Sequence, residues 1–442
     1  MRLAAARAAA RTAAALSRRT GRGGTSLPGK VLLRLEPGAI GALARRLDRG
    51  SAVISATNGK TTTSAMVAAI LERTGARLVH NRTGANMAGG VASALLDGRG
   101  DTGLFEVDEF WLDRLVPELR PRALLLANLF RDQLDRYGEL EIIADRWAEL
   151  IARTPETALV LNADDPAIAD LGRSSADVTY FGVDDTSVAL AGLPHATDAK
   201  HCRRCGRPYV YDAVLLGHLG HYHCPTGDSV RPEPAVAAEQ IELEGVRSAR
   251  FVLRTPEGRT PVAVPLPGLY NVYNALGAAA LALKLGASLE DVVAGLAAVE
   301  PAFGRAESVT LGGRELSIML VKNPAGANEV VRTLALEPGE HDLLGVLNDR
   351  VADGRDVSWV WDADFEVLAP HVRRAVCAGT RAPELALRLK YAGVPEDRLH
   401  VEADLDRALD AAVGGGDGRL FAIPMYTAML ELRELVQGRA LL

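Results

Sequence analysis

Several features are scarce or missing in this chain, and each absence narrows the classes of protein to which it can belong. The 442 residues include only four cysteines, which are too few for a disulfide framework and favour a reducing compartment. No apolar run reaches the length of about 18 residues that a membrane-spanning helix needs. The net charge is −6, so the strongly basic composition typical of nucleic-acid-binding proteins is missing. We therefore expect a cytoplasmic protein that binds no nucleic acid.

Acidic residues are absent from the first 30 positions. The basic residues there are Arg2, Arg7, Arg11, Arg18, Arg19, Arg22 and Lys30. A start rich in Ala and Arg is typical of transit peptides, but it also fits a basic helix of the mature protein, which is the interpretation we favour. Such a helical segment, assigned here to residues 1–45, is suited to peripheral contact with the inner face of a membrane that contains anionic lipids.

Lysine is also rare in this arginine-rich chain, which makes Lys60 conspicuous. It lies in the run Ala-Thr-Asn-Gly-Lys-Thr-Thr-Thr at residues 56–63, directly after an apolar strand at residues 52–55. A helix that begins after a strand offers free N–H groups and a positive dipole end to phosphates. In such a loop glycine allows close approach, the lysine reaches the terminal phosphates and the following hydroxyl ligates Mg²⁺. The predicted ATP contacts are Thr57, Asn58, Gly59, Lys60, Thr61 and Thr62.

Strand-type apolar runs alternate with helical segments in two blocks, which predicts an α/β protein with buried parallel sheets. In the first block the predicted strands are residues 52–55, 77–80, 103–107, 123–127 and 158–161. After a hinge at residues 301–305 the alternation restarts, with strands at residues 316–321, 343–347, 374–378, 399–401 and 420–423. We therefore expect an ATP-binding domain over residues 46–304 and a Rossmann-like doubly wound domain over residues 305–442.

Three acids, Glu106, Asp108 and Glu109, end the predicted strand at residues 103–107. Alternation along the strand places Glu106 and Asp108 on one face. Mg²⁺ prefers an octahedral set of oxygens, and a phosphate loop needs a carboxylate nearby to complete it. We predict that this group binds magnesium together with Thr61; the alternative is an ordinary solvated strand end.

Cysteines and histidines crowd into residues 195–234, where the periodicity disappears, and this segment is interpreted as an insertion. Cys202, Cys205 and the following Gly206 form half of a zinc knuckle, but the second half retains only Cys224. Zinc takes four tetrahedral thiolate or imidazole ligands, so we predict a structural zinc-ribbon-like site with His223 as the fourth ligand. Three further histidines are close in sequence, and a weakened or metal-free site is the alternative.

Taken together, these motifs resemble the Mur ligase family, and within it the MurT branch. The resemblance extends over essentially the whole chain, and the cysteine insertion inside an ATP-binding domain is its most discriminating element. Departures are Ala56 where the family usually has glycine, Gln133 at a family histidine, and Thr226 or Gly227 where a fourth cysteine belongs. The matching runs are residues 57–63, 80–87, 106–109, 128–138, 162–166, 270–275, 322–326 and 348–359.

The resemblance implies a ligase of peptidoglycan biosynthesis that uses ATP, Mg²⁺ and ammonia. It would amidate the α-carboxyl of D-glutamate in the lipid II stem peptide through an acyl phosphate, as one subunit of a heterodimer. The second subunit would be a glutaminase of the GatD type, because no glutaminase nucleophile is evident here. The resemblance further implies magnesium binding by Glu106, nucleotide contacts by Asn271, Asn274 and Arg305, and completion of the partner's catalytic triad by Asp356, which we favour over Asp353 and Asp349.

Two other hypotheses remain open at this point. The first is a Mur-type or folylpolyglutamate-type ligase that joins an amino acid, rather than ammonia, to a carboxylate. The second is a non-enzymatic scaffold that uses ATP as a switch and binds nucleic acid through the basic start, which the acidic net charge disfavours.

Overall fold

A computed structural model describes residues 2–19, 26–82, 84–132, 140–194, 197–300, 305–416 and 418–440. Side chains are described for these residues except 2, 16–19, 305–307 and 440. Residues 301–304 of the predicted hinge at 301–305, residues 133–138 of the family-like run at 128–138 and the side chain of Arg305 therefore lie outside the described part of the chain.

The first half of the chain builds a large sheet and a separate hairpin of two strands. Its strands are β1 (Ser51–Ser55), β2 (Leu78–His80), β3 (Thr102–Glu106), β4 (Ala123–Leu126), β5 (Ala158–Asn162), β6 (Val178–Val183), β7 (Val210–Leu216), β8 (Leu219–His223), β9 (Val236–Glu244), β10 (Ser248–Thr255) and β11 (Gly258–Val264). Among the described residues β7 and β8 pair as a separate hairpin, and the other nine strands follow the order β11-β10-β9-β6-β5-β4-β1-β3-β2.

Helices cover both faces of this sheet. They are α1 (Arg2–Arg19), α2 (Leu27–Leu35), α3 (Ala39–Ala44), α4 (Lys60–Arg73), α5 (Ala88–Asp97), α6 (Leu112–Leu119), α7 (Leu140–Arg153), α8 (Pro166–Leu171), α9 (Leu269–Lys284) and α10 (Leu289–Ala297). One core packs Ile54 and Met66 against Leu276 of the almost fully buried α9, and the other packs Phe105 against Trp147. Burial on both faces explains why β1, β3, β4 and β5 are continuously apolar.

The second half of the chain forms a smaller sheet of its own. Its strands are β12 (Arg305–Leu311), β13 (Arg314–Met319), β14 (His341–Val346), β15 (Val372–Ala378), β16 (Leu399–Val401) and β17 (Leu420–Pro424), in the order β12-β13-β17-β14-β15-β16. Its helices are α11 (Pro324–Ala335), α12 (Ala382–Tyr391), α13 (Leu405–Val413) and α14 (Tyr426–Ala440). None of the described helices has both the length and the apolar composition needed to cross a membrane.

Both sheets differ from the prediction at one edge, where strands run antiparallel. In the large sheet β10 pairs antiparallel with β9 and β11, and in the small sheet β12 pairs antiparallel with β13. The connections are tight turns, with Gly245, Gly312 and Gly313 at positive φ, and a short turn can join only antiparallel strands. The α/β class is confirmed, with mixed rather than purely parallel sheets.

Candidate active site

The loop between β1 and α4 is fixed by the strand next to it. The N–H of Thr57 donates to the carbonyl oxygen of Asn128 at 3.1 Å, and the N–H of Asn58 donates to the side-chain oxygen of Asn128 at 2.9 Å. Gly59 precedes α4 with φ +86°, and a Cβ there would lie 2.1 Å from Oδ1 of Asn274. Glycine is therefore required both by the left-handed backbone and by the close approach of Asn274.

Lys60 is the first residue of α4, and its ammonium group turns back over the loop. It donates to the carbonyl oxygen of Ala56 and, at 2.9 Å, to Oε2 of Glu109. Burial acts to lower the pKa of Lys60, but the carboxylates of Glu109, Glu106 and Asp108 together outweigh burial and the pKa is raised. Burial acts to raise the pKa of Glu109, which Lys60 and Lys322 bring below its ordinary value. Both shifts favour the charged forms, so the two side chains form an ion pair beside the loop.

Thr61 and Glu106 form the second polar contact of the loop. The Thr61 hydroxyl lies 3.1 and 3.0 Å from the two carboxylate oxygens of Glu106, whose residue is only 2% exposed. Asn81 holds the backbone of Glu106 through two hydrogen bonds of 2.8 and 3.0 Å. A buried carboxylate and a hydroxyl in contact offer the oxygen ligands that Mg²⁺ takes, so the residues present fit the predicted ion. Asp108 lies nearby, and burial, followed by the charge of Glu109, raises its pKa.

The second half of the chain reaches into this loop through two consecutive residues. Nζ of Lys322 donates to the carbonyl oxygen of Thr57 at 3.0 Å and to Asp132 at 2.5 Å. Asn323, at the start of α11, exchanges two amide hydrogen bonds of 3.1 and 3.2 Å with Asn58. Apart from the rarity of lysine and the family resemblance, no feature of the sequence places Lys322 at the site.

These contacts enclose a cavity of about 650 Å³ between the two halves. The phosphate loop and the acids Glu106, Asp108 and Glu109 line one side, and Lys322 and Asp353 with part of α14 line the other. A cleft of this size between domains, with charged groups converging on it, is the usual form of a small-molecule site.

A smaller, largely apolar pocket of about 130 Å³ opens beside Gly59. Its walls include Thr62, Phe130, Tyr273 and Asn274, together with Leu219 from the insertion hairpin. Asn274 is held in place because its Nδ2 donates to Oδ1 of Asn271 at 3.0 Å. Asn271 itself donates to the carbonyl oxygen of Pro267 at 2.8 Å. A small, largely apolar pocket next to a phosphate loop is suited to a nucleobase.

Three of the predicted zinc ligands come together in the insertion. The sulfur atoms of Cys202, Cys205 and Cys224 all lie within 4.8 Å of one another. The Thr226 hydroxyl lies 2.9 Å from the sulfur of Cys224 and 3.3 Å from that of Cys205, and the hydroxyl also donates to Asp228 at 2.5 Å. A triad of converging thiols fits a thiophilic ion.

His223 does not belong to this cluster, which corrects the ligand set expected from the sequence. Its Nδ1 lies 3.0 Å from the carboxylate of Asp212 on the neighbouring strand β7. His223 is the last residue of β8, and alternation along a strand turns its side chain away from that of Cys224. Thr226 and Asp228 stand where a fourth ligand would be expected.

Asp356 lies in the loop of residues 348–362, away from the central cavity. Its carboxylate is exposed and accepts a hydrogen bond of 2.8 Å from the N–H of Ser358, and hydrogen bonding from Ser358 lowers its pKa. By contrast, Asp353 is buried and accepts from the N–H of Thr427 at 2.8 Å, and Asp349 pairs with Arg381. Of these three carboxylates Asp356 is the most accessible to a partner.

Comparisons with known proteins agree with this arrangement. The family described as Mur ligase middle domain matches residues 54–205, and the family described as MurT ligase C-terminal matches residues 320–429. The MurT subunit of the Streptococcus pneumoniae lipid II isoglutaminyl synthase is 33% identical over 95% of this chain and 94% of its own length. The corresponding Staphylococcus aureus subunit is 34% identical over 96% and 95%.

Solved structures show the same fold at lower sequence identity. A pseudomurein peptide ligase type C from Methanothermus fervidus aligns with a TM-score of 0.72 at 23% identity, covering 90% of this chain and 80% of that one. MurF from Acinetobacter baumannii aligns with a TM-score of 0.68 at 20% identity, covering 93% and 80%.

Proposed function

Because this chain belongs to the MurT family of the Mur ligases, we propose that it is the synthetase subunit of a lipid II isoglutaminyl synthase. It acts in peptidoglycan biosynthesis at the cytoplasmic face of the membrane, where it converts the α-carboxyl of the stem-peptide D-glutamate to an amide. ATP is consumed, and a partner glutaminase supplies the ammonia.

The observation that carries this proposal is the convergence of Lys60, Glu106 and Lys322 on one cavity between the two halves. ATP bound in this loop would present its terminal phosphate to the N–H groups at the start of α4, with Lys60 beside it. When bound, Mg²⁺ would neutralise phosphate charge beside Thr61 and Glu106. Binding of the γ-phosphate would draw Lys60 away from Glu109. The Glu109 carboxylate would then be available to the substrate in the cavity.

The proposed reaction balances in two steps. A carboxylate oxygen of D-glutamate attacks the γ-phosphorus of ATP, the bond to the β-phosphate oxygen breaks, and ADP leaves. The nitrogen of ammonia then attacks the acyl carbon of the acyl phosphate and loses a proton, which the departing phosphate carries as hydrogen phosphate. Inorganic phosphate departs with the carboxylate oxygen that had attacked, and the other oxygen remains in the amide.

We assign the nucleotide contacts to Thr57, Asn58, Gly59, Lys60, Thr61 and Thr62, with Asn274 against the base. Asn271 orients Asn274 rather than lining the pocket, and Arg305 remains a proposed contact.

Division into residues 1–45, 46–304 and 305–442 also remains a proposal, which is supported by the separate sheets.

The partner subunit would dock on the loop that carries Asp356. Val351 and Trp361 in the same loop are exposed, by 66% and 48%, and the Trp361 ring lies 5.8 Å from that of the exposed Tyr391. Exposed aromatic and aliphatic side chains beside a free carboxylate are features of a protein interface with a catalytic contact. We propose that Asp356 orients a histidine of the glutaminase, as the third member of its triad.

A mixed assay with the glutaminase, ATP and lipid II tests this assignment. We expect Asp356→Asn to lose glutamine-driven amidation while free ammonium still supports turnover. Lys60→Ala should abolish activity with either nitrogen source, and Asp349→Asn, the matched control in the same loop, should retain both. Loss of ammonium-driven turnover in Asp356→Asn would contradict the interface role. Turnover with an amino acid in place of ammonia would favour the other type of Mur ligase.

We further propose that the three thiols bind a structural zinc ion that holds the insertion together, with Asp228 or water completing the set. The insertion contributes Leu216 and Leu219 to the base pocket, so its order would affect nucleotide binding. Metal analysis of the purified chain, with Cys202→Ser as the comparison, tests the site. The proposed zinc site would be contradicted if the wild type contained less than one zinc ion per chain and no more zinc than the variant.

A further inference from the structure

Four arginines cluster at the edge of the first sheet that lies opposite the phosphate loop. Arg7 and Arg11 come from α1, Arg46 follows α3 and Arg99 follows α5, and all four line one cavity of about 270 Å³. This cavity lies beside the start of β3, whereas Glu106 at the end of β3 belongs to the ATP site. A strand of five residues separates the two places by roughly 16 Å.

No acidic residue lines the cavity among the described residues. The ion pairs of the described part of the chain include none of the four guanidinium groups. The undescribed N-terminal residues cannot supply a carboxylate either, because the first 30 positions contain no Asp or Glu. The cluster is therefore positively charged without a counter-ion from the N-terminal segment or the cavity wall.

Two of the four arginines are held in place by carbonyl oxygens despite their mutual repulsion. Arg46 donates to the carbonyl oxygen of Leu95 at 3.1 Å, and Arg11 donates to that of Leu96 at 3.4 Å, both in the last turn of α5. Nε of Arg7 is buried without a hydrogen-bond partner among the described residues. Burial, followed by the charges of Arg7 and Arg11, lowers the pKa of Arg46. Carbonyl oxygens carry only partial charge, so they orient these groups without neutralising them.

The packing of α1 shows that this arrangement is built rather than incidental. Ala6, Ala10 and Ala14 of α1 are almost fully buried against the first half of the chain. Small side chains bring the helix axis close to the surface beneath it, and the spacing of four residues puts Arg7 and Arg11 on one face of the helix, one turn apart. Arg7 and Arg11 each follow a buried alanine, so they lie at the flank of the docked face, where they line the same cavity as Arg46.

We propose that this cluster, Arg7, Arg11, Arg46 and Arg99, binds a phosphate group of an anionic ligand, with the headgroup of an anionic membrane lipid as the favoured source. Guanidinium groups match phosphate oxygens with paired N–H donors, and a phosphate would supply the missing negative charge. A lipid is favoured because the sequence adds further basic residues to the same helix and none of opposite sign. The proposal is independent of the ATP site.

Vesicle sedimentation with the full-length chain tests the lipid source. We expect binding to vesicles that contain phosphatidylglycerol and none to pure phosphatidylcholine. Arg46→Gln should weaken binding about fivefold, and adding Arg7→Gln should weaken it further. The matched control is Arg45→Gln, which removes the same charge from the neighbouring exposed position outside the cavity. Equal weakening by Arg45→Gln and Arg46→Gln would overturn the proposal, because general charge attraction would then explain the binding.

Thermal unfolding with inorganic pyrophosphate, against chloride at equal ionic strength, distinguishes a free phosphate from a lipid. Pyrophosphate can also occupy the ATP loop and stabilise the chain there. The rise in unfolding temperature caused by pyrophosphate is therefore compared between the variants, and we expect it to be smaller in Arg46→Gln than in Arg45→Gln. Such a difference without vesicle binding supports the site with a soluble phosphate ligand. Absence of both vesicle binding and this difference would overturn the proposal. Lost amidation with intact vesicle binding would instead count against the proposed function alone.

Discussion

Individual side chains at the site are paired in ways that ATP binding must rearrange. Lys60 is held by Glu109 and by loop carbonyl oxygens, and Thr61 is held by Glu106. Each pair satisfies buried polar groups that would otherwise be costly. The γ-phosphate and Mg²⁺ would offer the same groups stronger partners, so the site is ordered before its ligand arrives.

His80 is a residue whose burial should be visible in the pH dependence of stability. It ends β2, and both ring nitrogens are buried without a hydrogen-bond partner among the described residues. Burial, followed by the charge of Arg82, lowers the pKa of His80 to about 4, against about 6.5 for an unfolded chain. Above about pH 6.5 the imidazole is neutral in both the folded and the unfolded chain, and the free energy of unfolding has its full value. As the pH falls toward 4 the unfolded chain binds a proton that the folded chain does not, and the free energy of unfolding decreases.

We expect the free energy of unfolding to fall by roughly 2 kcal/mol more in the wild type than in His80→Leu between pH 7 and pH 5. Urea unfolding at the two pH values measures it. His400→Leu, a substitution at an exposed histidine on β16, is the control and should behave as the wild type. Parallel pH dependence in wild type and His80→Leu would show that His80 is hydrated or paired in solution.

At the level of secondary-structure elements, the sequence predicted the strands that a local apolar run determines. It did not predict features that depend on pairing between distant segments. Strands β1, β3, β4 and β5 were predicted because each is a continuous apolar run between turn signals. Strand β6 was missed because its first three residues are partly exposed and its apolar pattern is broken by Thr179 and Gly182. The antiparallel edges and the exclusion of His223 from the thiol cluster follow from pairing between strands, which local patterns do not encode.

Helix α4 offers a matched pair of glycines, one at each end. Gly59 and Gly75 have φ of +86° and +78°, but only at Gly59 would a Cβ meet another group, Asn274. We expect Gly75→Ala to cost about 1 kcal/mol of stability and to leave ATP-analogue binding unchanged. Gly59→Ala should in addition weaken binding at least about tenfold, because it displaces Asn274 from the base pocket.

Calorimetric titration with a non-hydrolysable ATP analogue, after urea unfolding of each variant, measures both effects. Similar affinities for Gly59→Ala and Gly75→Ala would mean that Asn274 is not a wall of the nucleotide site.

For the whole molecule, the site exists only because the two halves meet. Asn58 and Asn323 are 265 positions apart in the chain and exchange two hydrogen bonds, and Lys322 binds the loop directly. The sequence located the phosphate loop and the carboxylates after β3, since each lies beside its own strand. It could not show that Lys322 and α14 complete the cavity, because that depends on how the halves dock.

If ATP activates a carboxylate of the substrate in this cavity, an oxygen atom of that carboxylate must pass to the released phosphate, and an oxygen isotope reveals this transfer. Lipid II with ¹⁸O in the α-carboxyl of D-glutamate is amidated by the chain with its glutaminase, and the released phosphate is analysed by mass spectrometry. We expect one ¹⁸O atom in the phosphate for each amide formed, and none with Lys60→Ala. Amide formed with unlabelled phosphate would contradict this mechanism.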